Sequence, residues 1–421
     1  MRVLLATDAF PPVCGGSGWS TYELARGLRD LGHEVMVVQV YAGTPEASDH
    51  SYDAFRVRAV GLPAPRVPFV RNYVRNERLW RRAAASLREM ALEAGADVIH
   101  AQHVLSGPAA VEAAAGLAAP VVCTVRDYWP VCYWSTLIHD PASPGLCPGC
   151  SPRMMMRCLR PRAGAAWSLT LPFIPYMRAN LARKQRALSR ADAVVAVSSA
   201  IARDLRERAP LMAGARMETI PNPVDVAGIR RDAAAAAPPM KGPYAVFVGK
   251  LEQNKGVDFL LPAVDRAALA WPLVIIGDGA RRASMEAEAV RTSRDARFLG
   301  WVDRPRAMAW LAHASVLVFP SYGPESLSRV LLEAAAIGVP IAAMDTGGTA
   351  DIIEHNVTGL LSATPAELGD HVARLAADRQ LADRLSRRAR EHVEQHFDTP
   401  VVAGRVEALY RELVAGRRTR G

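Results

Sequence analysis

The 421 residues hold no apolar run of the roughly 20 residues a membrane-spanning helix needs. The main candidate, between Arg162 and Arg178, is shorter and contains Pro172 and Pro175. The start reads better as a first β-strand than as a secretory leader, because its apolar run from Val3 to Ala6 is broken by Asp8, so no leader is expected. These two absences predict a cytoplasmic protein. Charged residues are few, 22% against 50% hydrophobic, which excludes disorder and fits a globular chain with large cores. No RNA-binding motif, paired-carboxylate hydrolase site or double-displacement nucleophile can be identified, so nucleic acid is not an expected partner.

What charge there is lies unevenly. Through Asn222 there are 26 basic and 18 acidic side chains, and beyond it 25 and 24. From Arg56 to Arg88 nine arginines face the single acid Glu77, with Phe69, Tyr73, Leu79 and Trp80 among them. Such a mixture suits an anionic membrane at its inner face, a phosphate-bearing acceptor or RNA, or else is a solvated arginine-rich face. Met154 to Met156 and the stretch from Trp167 to Tyr176 add an apolar surface flanked by arginines, suited to a membrane interface, an acceptor groove or helix packing.

The length calls for two domains. Apolar runs of four to six residues alternate with helix-length segments, the mark of parallel βαβ units. Strands are expected at Val3–Thr7, Glu34–Val40, Val98–Ala101, Val121–Val125, Ala193–Val197 and Glu218–Ile220. A second set follows at Ala245–Val248, Leu273–Ile276, Arg297–Leu299, Val316–Phe319, Pro340–Ala343 and Gly359–Leu361. The expectation is an α/β chain of two doubly wound, Rossmann-like domains, residues 1–222 and 240–397, facing across a cleft. Pro221-Asn222-Pro223 and the stretch from Ala233 to Pro243 read as a surface linker, and a last helix over about 398–421 packs back on the first domain. Ligands of open parallel sheets bind beyond the carboxyl ends of the strands, so the motifs after strands deserve most weight.

Pro11 to Gly18 follows the first strand, and its Gly15 and Gly16 offer backbone to an anion or merely make a tight turn. Gly249-Lys250-Leu251 and Asn254-Lys255-Gly256 put two cations on one loop, as a departing diphosphate requires when no metal neutralises it, although surface lysines would look the same. Gly277-Asp278-Gly279 closes another strand. The segment from Pro320 to Ala334 carries Glu325 and, about two turns further, Glu333, with Ser326, Leu327, Ser328 and Val330 where a helix N-terminus presents free amides.

Together with Thr346-Gly347-Gly348 and Val357-Thr358-Gly359-Leu360-Leu361, these ordered motifs resemble the family 4 retaining glycosyltransferases over nearly the whole chain. The resemblance implies a GT-B fold, catalysis without a metal, a nucleotide-sugar donor (UDP-, GDP- or another) on the second domain and an acceptor of unnamed kind on the first. Glu325 would bind sugar hydroxyls, Glu333 the ribose, Lys250 and Lys255 the diphosphate, and the amides from Ser326 to Val330 its oxygens, with Gly16, Gly249 and Gly277 lining the donor and the base near Gly300 to Val302. Gly15, His103 and Tyr128 would meet the acceptor. Two positions depart from the pattern: Lys250 stands where Arg is usual, and Arg126-Asp127 where His-Asp is usual. Arg126 stays protonated and cannot act as a base, so it would clamp phosphate while Asp127 contacts sugar or acceptor, or forms a structural salt bridge. An epimerase or phosphorylase of the same architecture, or a nonenzymatic sugar-nucleotide scaffold, are the rival readings.

Four of the six cysteines, Cys132, Cys147, Cys150 and Cys158, fall in one stretch. They fit a structural zinc site, free thiols or disulfides, the last disfavoured by a reducing compartment.

Overall fold

The computed structural model describes the chain apart from residues 13, 44–48, 64, 66–67, 141–145 and 419–421. Val13 of the first loop, Arg66 and the Phe69 side chain therefore lie outside the described residues. The chain divides into two compact units. The first comprises Met1–Thr136, Gly149–Pro223 and Thr399–Gly421, the second Leu137–Pro148 and Val224–Asp398.

In the first unit the strands are β1 Arg2–Thr7, β2 Glu34–Ala42, β3 Asp49–Tyr52, β4 Phe55–Leu62, β5 Val98–Ala101, β6 Val121–Val125, β7 Ala193–Ala196 and β8 Met217–Thr219. They form one sheet in the order β3-β4-β2-β1-β5-β6-β7-β8, parallel except where β3 meets β4. The central strands β5, β6 and β7 are buried throughout, which is why their sequences are apolar without alternation save for His100 and Thr124. The hairpin β3–β4 was not expected. Its outer strand is the polar Asp-His-Ser-Tyr, and the arginines that mark the inner strand stand on its outward side.

The helix Gly16–Asp30 leaves β1 and packs on the last helix, Thr399–Arg418. Gly27 makes that approach close: a Cβ there would stand 2.7 Å from the Ala403 Cβ and 2.8 Å from the Thr399 methyl group. Val402, Val406, Leu409 and Tyr410 of the last helix join Val3, Leu5, Leu24 and Leu28 in one apolar core.

The second unit has β9 Ala245–Val248, β10 Leu273–Ile276, β11 Ala296–Gly300, β12 Val316–Phe319, β13 Ile341–Met344 and β14 Leu360–Ser362, in the order β11-β10-β9-β12-β13-β14. The order reverses beside β9 and β12, so a crevice opens between their carboxyl ends. The alanine-rich stretch expected as linker is in part helix, Val226–Ala235, capped by Asp225 accepting from the Gly228 amide at 2.7 Å. Alanine favours helix, and Arg230 fastens this one through Glu394 at 2.9 Å and the Ala336 carbonyl at 3.1 Å.

Candidate functional site

Three loops interlock at the carboxyl ends of β9 and β12. Gly256 has φ +64°, and a Cβ on it would stand 1.8 Å from the Pro320 carbonyl oxygen, so only glycine lets the lysine loop reach the loop after β12. The Gly323 amide donates to the Asn254 carbonyl at 2.8 Å. Beneath, the Gly348 amide donates to the Glu325 carbonyl at 2.7 Å, and Thr346 Oγ1 donates to the Gly323 carbonyl at 3.1 Å. The Thr346-Gly347-Gly348 motif is thus the seat on which Glu325 rests.

Lys255 Nζ donates to Glu325 Oε1 at 2.6 Å, and Ser321 Oγ donates to the same oxygen at 2.5 Å. Both charges are fixed at the crevice mouth before any ligand arrives. Lys250 is exposed on the same loop, and the chain has only four lysines in all, against 47 arginines, so two on one loop is a stronger signal than the spacing alone. Gly249 and Gly277 sit back to back: the Gly249 amide donates to the Ile276 carbonyl at 2.9 Å, and a Cβ on Gly277 would meet the Gly249 oxygen at 1.9 Å.

The helix after Glu325 begins at Arg329 with Ser328 as its N-cap. Its first-turn amides are those of Arg329, Val330 and Leu331, slightly later than Ser326 to Ser328. Glu333, one turn on, is buried and accepts from Arg304 Nη1 at 2.5 Å and Arg329 Nε at 3.0 Å, both on Oε1. Burial opposes its ionisation, but the two guanidiniums outweigh that and hold the carboxyl below its usual range. Arg304 opens the helix Arg304–Ala312 directly after Gly300, Trp301 and Val302, and Trp301 is 82% exposed there. Neither Ser321 nor Arg304 was singled out from the sequence.

In the first unit the residues after β1, β5 and β6 gather. Asp8 accepts from the Leu105 and Ser106 amides at 2.9 and 3.0 Å, at the start of the helix Ser106–Ala113. Its burial outweighs these bonds and pushes its pKa up to about 7. His103 Nδ1 lies 3.1 Å from Thr7 Oγ1 and 3.3 Å from the Asp8 amide, while its Nε2 is buried without a partner. Burial and the nearby Arg126 keep this ring neutral. His100 is different: its two nitrogens meet Tyr410 Oη at 2.5 Å and Thr124 Oγ1 at 2.7 Å, so it is a core residue tying the last helix to the sheet.

Arg126 is buried, and its two terminal nitrogens donate to the Asn222 and Gln102 side-chain oxygens. Its guanidinium is thus engaged within its own unit. Asp127 accepts from the Trp129 amide at 2.8 Å, and burial pushes its pKa up to about 6. Arg75 interacts with Asp8 and Asp127, and Lys184 with Asp127; these two cations were missed because neither stands in a motif. Tyr128 is buried, whereas Gly15 and Gly16 are exposed at the N-terminus of their helix.

The zinc expectation finds no support. Cys132, Cys147, Cys150 and Cys158 form no disulfide, and among the described residues no group of three or more His, Cys, Asp or Glu side chains is arranged to hold a metal ion. Cys158 is buried on the helix Pro152–Ala163, where its sulfur accepts from Arg162 Nη1 at 3.0 Å.

Two doubly wound sheets, with paired cations and carboxylates at the switch point of the second, offer the kind of crevice in which open parallel sheets bind phosphorylated ligands. A model described as Glycosyltransferase Family 4 matches residues 14–227, just over half of the chain, and one described as Glycosyl transferases group 1 matches residues 242–378. The chain belongs to glycosyltransferase family 4. Glycogen synthase of Mycobacterium tuberculosis is 26% identical over 440 residues, covering 99% of this chain and 96% of that protein. The GDP-mannose-dependent alpha-(1-6)-phosphatidylinositol monomannoside mannosyltransferase of that organism is 30% identical over 216 residues, 47% of this chain and 56% of its own length. Among solved structures, sucrose-phosphate synthase from Thermosynechococcus elongatus superposes with a TM-score of 0.71 at 19% identity, covering 99% of both chains. HepE from Anabaena in complex with UDP-glucose gives 0.65 at 18% identity, covering 98% of this chain and all of the other.

Proposed function

We propose that the enzyme transfers a glycosyl group from a nucleoside diphosphate sugar to an acceptor with retention of configuration and without a metal ion, in the cytoplasm and at an anionic membrane surface. The observation that carries the donor assignment is the Lys255–Glu325 pair, 2.6 Å apart at the mouth of the second unit's crevice. When donor binds, Lys255 and Lys250 take the diphosphate, Glu325 is released to the sugar hydroxyls, and the first-turn amides of Val330 and Leu331 complete the anion site. Glu333 accepts the ribose hydroxyls, and the base lies by Val302. Family membership supports these roles, as do the UDP-glucose in the HepE structure and the GDP-mannose in the mannosyltransferase's name.

In the transfer, the bond from the anomeric carbon to the diphosphate oxygen breaks and a bond to the acceptor oxygen forms on the same face. The acceptor proton passes to the departing phosphate oxygen, so the products are a glycoside and a nucleoside diphosphate. Lysine charge stabilises the leaving group as it separates. His103, with its unpartnered Nε2, and Asp127 serve the first unit as contacts to acceptor hydroxyls. Polysaccharide, glycolipid and specialised-metabolite assembly are the settings this chemistry fits.

The test is a thermal-shift panel of UDP-, GDP-, ADP- and dTDP-sugars with and without EDTA. One donor should raise the melting temperature, EDTA should not alter that rise, and Glu325→Ala should abolish it. A rise that EDTA removes, or none with any donor, would overturn the proposal.

A further inference from the structure

A second surface, away from the donor loops in sequence and chemistry, lies on the first unit. From Gly149 to Ala191 the chain has nine basic residues and no acidic one. This stretch forms the helix Pro152–Ala163, started by Ser151 and Pro152 and ended by Gly164 at φ +57°, then the 3-10 helix Gly164–Phe173 and the helix Ile174–Leu188. Its inward apolar side chains have their own small core, where Tyr133, Met155, Leu159 and Met177 pack with Trp134, Ile174 and Tyr176. Leu169 is 77% exposed, Phe173 40% and Met156 38%.

The neighbouring helix Pro68–Tyr73 adds to the same face. The Tyr73 ring lies 5.7 Å from that of Tyr176, and Tyr73 and Val70 are 50% and 46% exposed. Glu77, the one acid of the arginine-rich stretch, accepts from Tyr176 Oη at 2.9 Å and Arg183 Nη1 at 3.0 Å, so its charge is already matched. On the same segments Arg71, Arg78, Arg153, Arg157 and Arg178 stand exposed. The face thus combines protruding aliphatic and aromatic groups with a positive charge that the protein does not balance.

We propose that this face docks on an anionic lipid bilayer, with Leu169 and Phe173 entering the interface and the arginines on the headgroups. Nucleic acid would use the charge and would gain nothing from an aliphatic leucine as the most exposed group, since bases stack on aromatic or guanidinium planes. A protein partner would leave the excess cations without a matching field, whereas a bilayer of anionic lipid supplies both the apolar interior and the extended negative surface. The inference deepens the membrane part of the function proposed above and is independent of the donor-site roles.

The experiment is cosedimentation of the full chain with vesicles of phosphatidylcholine and phosphatidylglycerol in equal parts, compared with pure phosphatidylcholine. Wild type should bind the anionic vesicles alone, and binding should weaken as salt shortens the screening length. Leu169→Glu with Phe173→Glu should lower the partition coefficient about tenfold or more. Arg153→Glu with Arg157→Glu should do the same, while Val290→Glu, a change at an 81% exposed residue of the second unit, should leave it unaltered. Each variant's nucleotide-induced thermal shift reports separately on its folding and on the donor site, so loss of that shift in wild type would sink the donor assignment and leave this one standing. Absence of wild-type binding to the anionic vesicles at low salt would overturn the inference. So would a leucine–phenylalanine variant that binds as wild type while the arginine variant does not, the result expected of a purely electrostatic surface for a polyanion such as RNA.

Discussion

Replacing Gly256 by alanine tests whether the lysine loop and the Glu325 loop are one structure. Gly256 has φ +64° and ψ +22°, a left-handed conformation that costs an L-residue about 1 kcal/mol. Gly242, in the same unit at φ +81° with nothing within 4 Å of an added Cβ, would bear that cost alone. At Gly256 the added carbon would also lie 1.8 Å from the Pro320 carbonyl oxygen. Carbon and oxygen in ordinary contact are about 3.3 Å apart, so the two loops must separate by roughly 1.5 Å. Overpacking of that kind brings the total to about 3 kcal/mol. Because Lys255 is the neighbouring residue, its pairing with Glu325 should fail, and misplacement on the scale of an ångström costs on the order of a hundredfold in rate. Urea unfolding and release of nucleoside diphosphate would be measured for both variants. The expected result is about 1 kcal/mol lost with activity kept for Gly242→Ala, and about 3 kcal/mol with activity lost for Gly256→Ala. Equal losses in the two would refute the interlocked-loop account.

Two further outcomes follow from single side chains. Arg304→Ala removes one of the two guanidiniums on Glu333 and should raise the donor KM about tenfold with kcat little changed, since a charge-assisted bond is lost from binding. Arg304→Lys should restore part of it, and a fall in kcat at constant KM would count against the role. Asp8 has a folded pKa of about 7, above its ordinary value of 3.8, so the folded state binds the extra proton. Its contribution to stability is full below about pH 4 and is lost as pH rises through about 7. The stability of wild type relative to Asp8→Asn should therefore fall between about pH 4 and about pH 7. A difference that stays flat over that range would show Asp8 to be ionised throughout.

Much of the fold can be read in advance where one periodicity dominates. Val98–Ala101, Val121–Val125, Ala245–Val248, Leu273–Ile276 and Val316–Phe319 are almost wholly buried, and their sequences are apolar apart from His100 and Thr124. The hairpin of β3 and β4 escaped because its turn uses Asp53 at φ +45° and Ala54 at φ +63°, with no glycine to announce it. The helix Val226–Ala235 was hidden by a composition that fits a loop as well as a helix. In the site, Lys255 and Glu325 stand in motifs, so their pairing across 70 positions was within reach of the sequence. Arg304 reaches Glu333 from 29 positions away and stands in no motif. Arg126 illustrates the converse. Its place in a motif suggested a ligand contact, but the motif could not reveal that Gln102 and Asn222 already hold its guanidinium.

The most direct test of the donor site compares binding of a nucleoside diphosphate and of the matching nucleotide sugar, by titration calorimetry, in wild type and Glu325→Gln. If Lys250 and Lys255 take the diphosphate and Glu325 the sugar, the substitution should weaken the nucleotide sugar by more than about tenfold and leave the diphosphate within about twofold. Equal losses for both ligands, or none for either, would contradict the assignment.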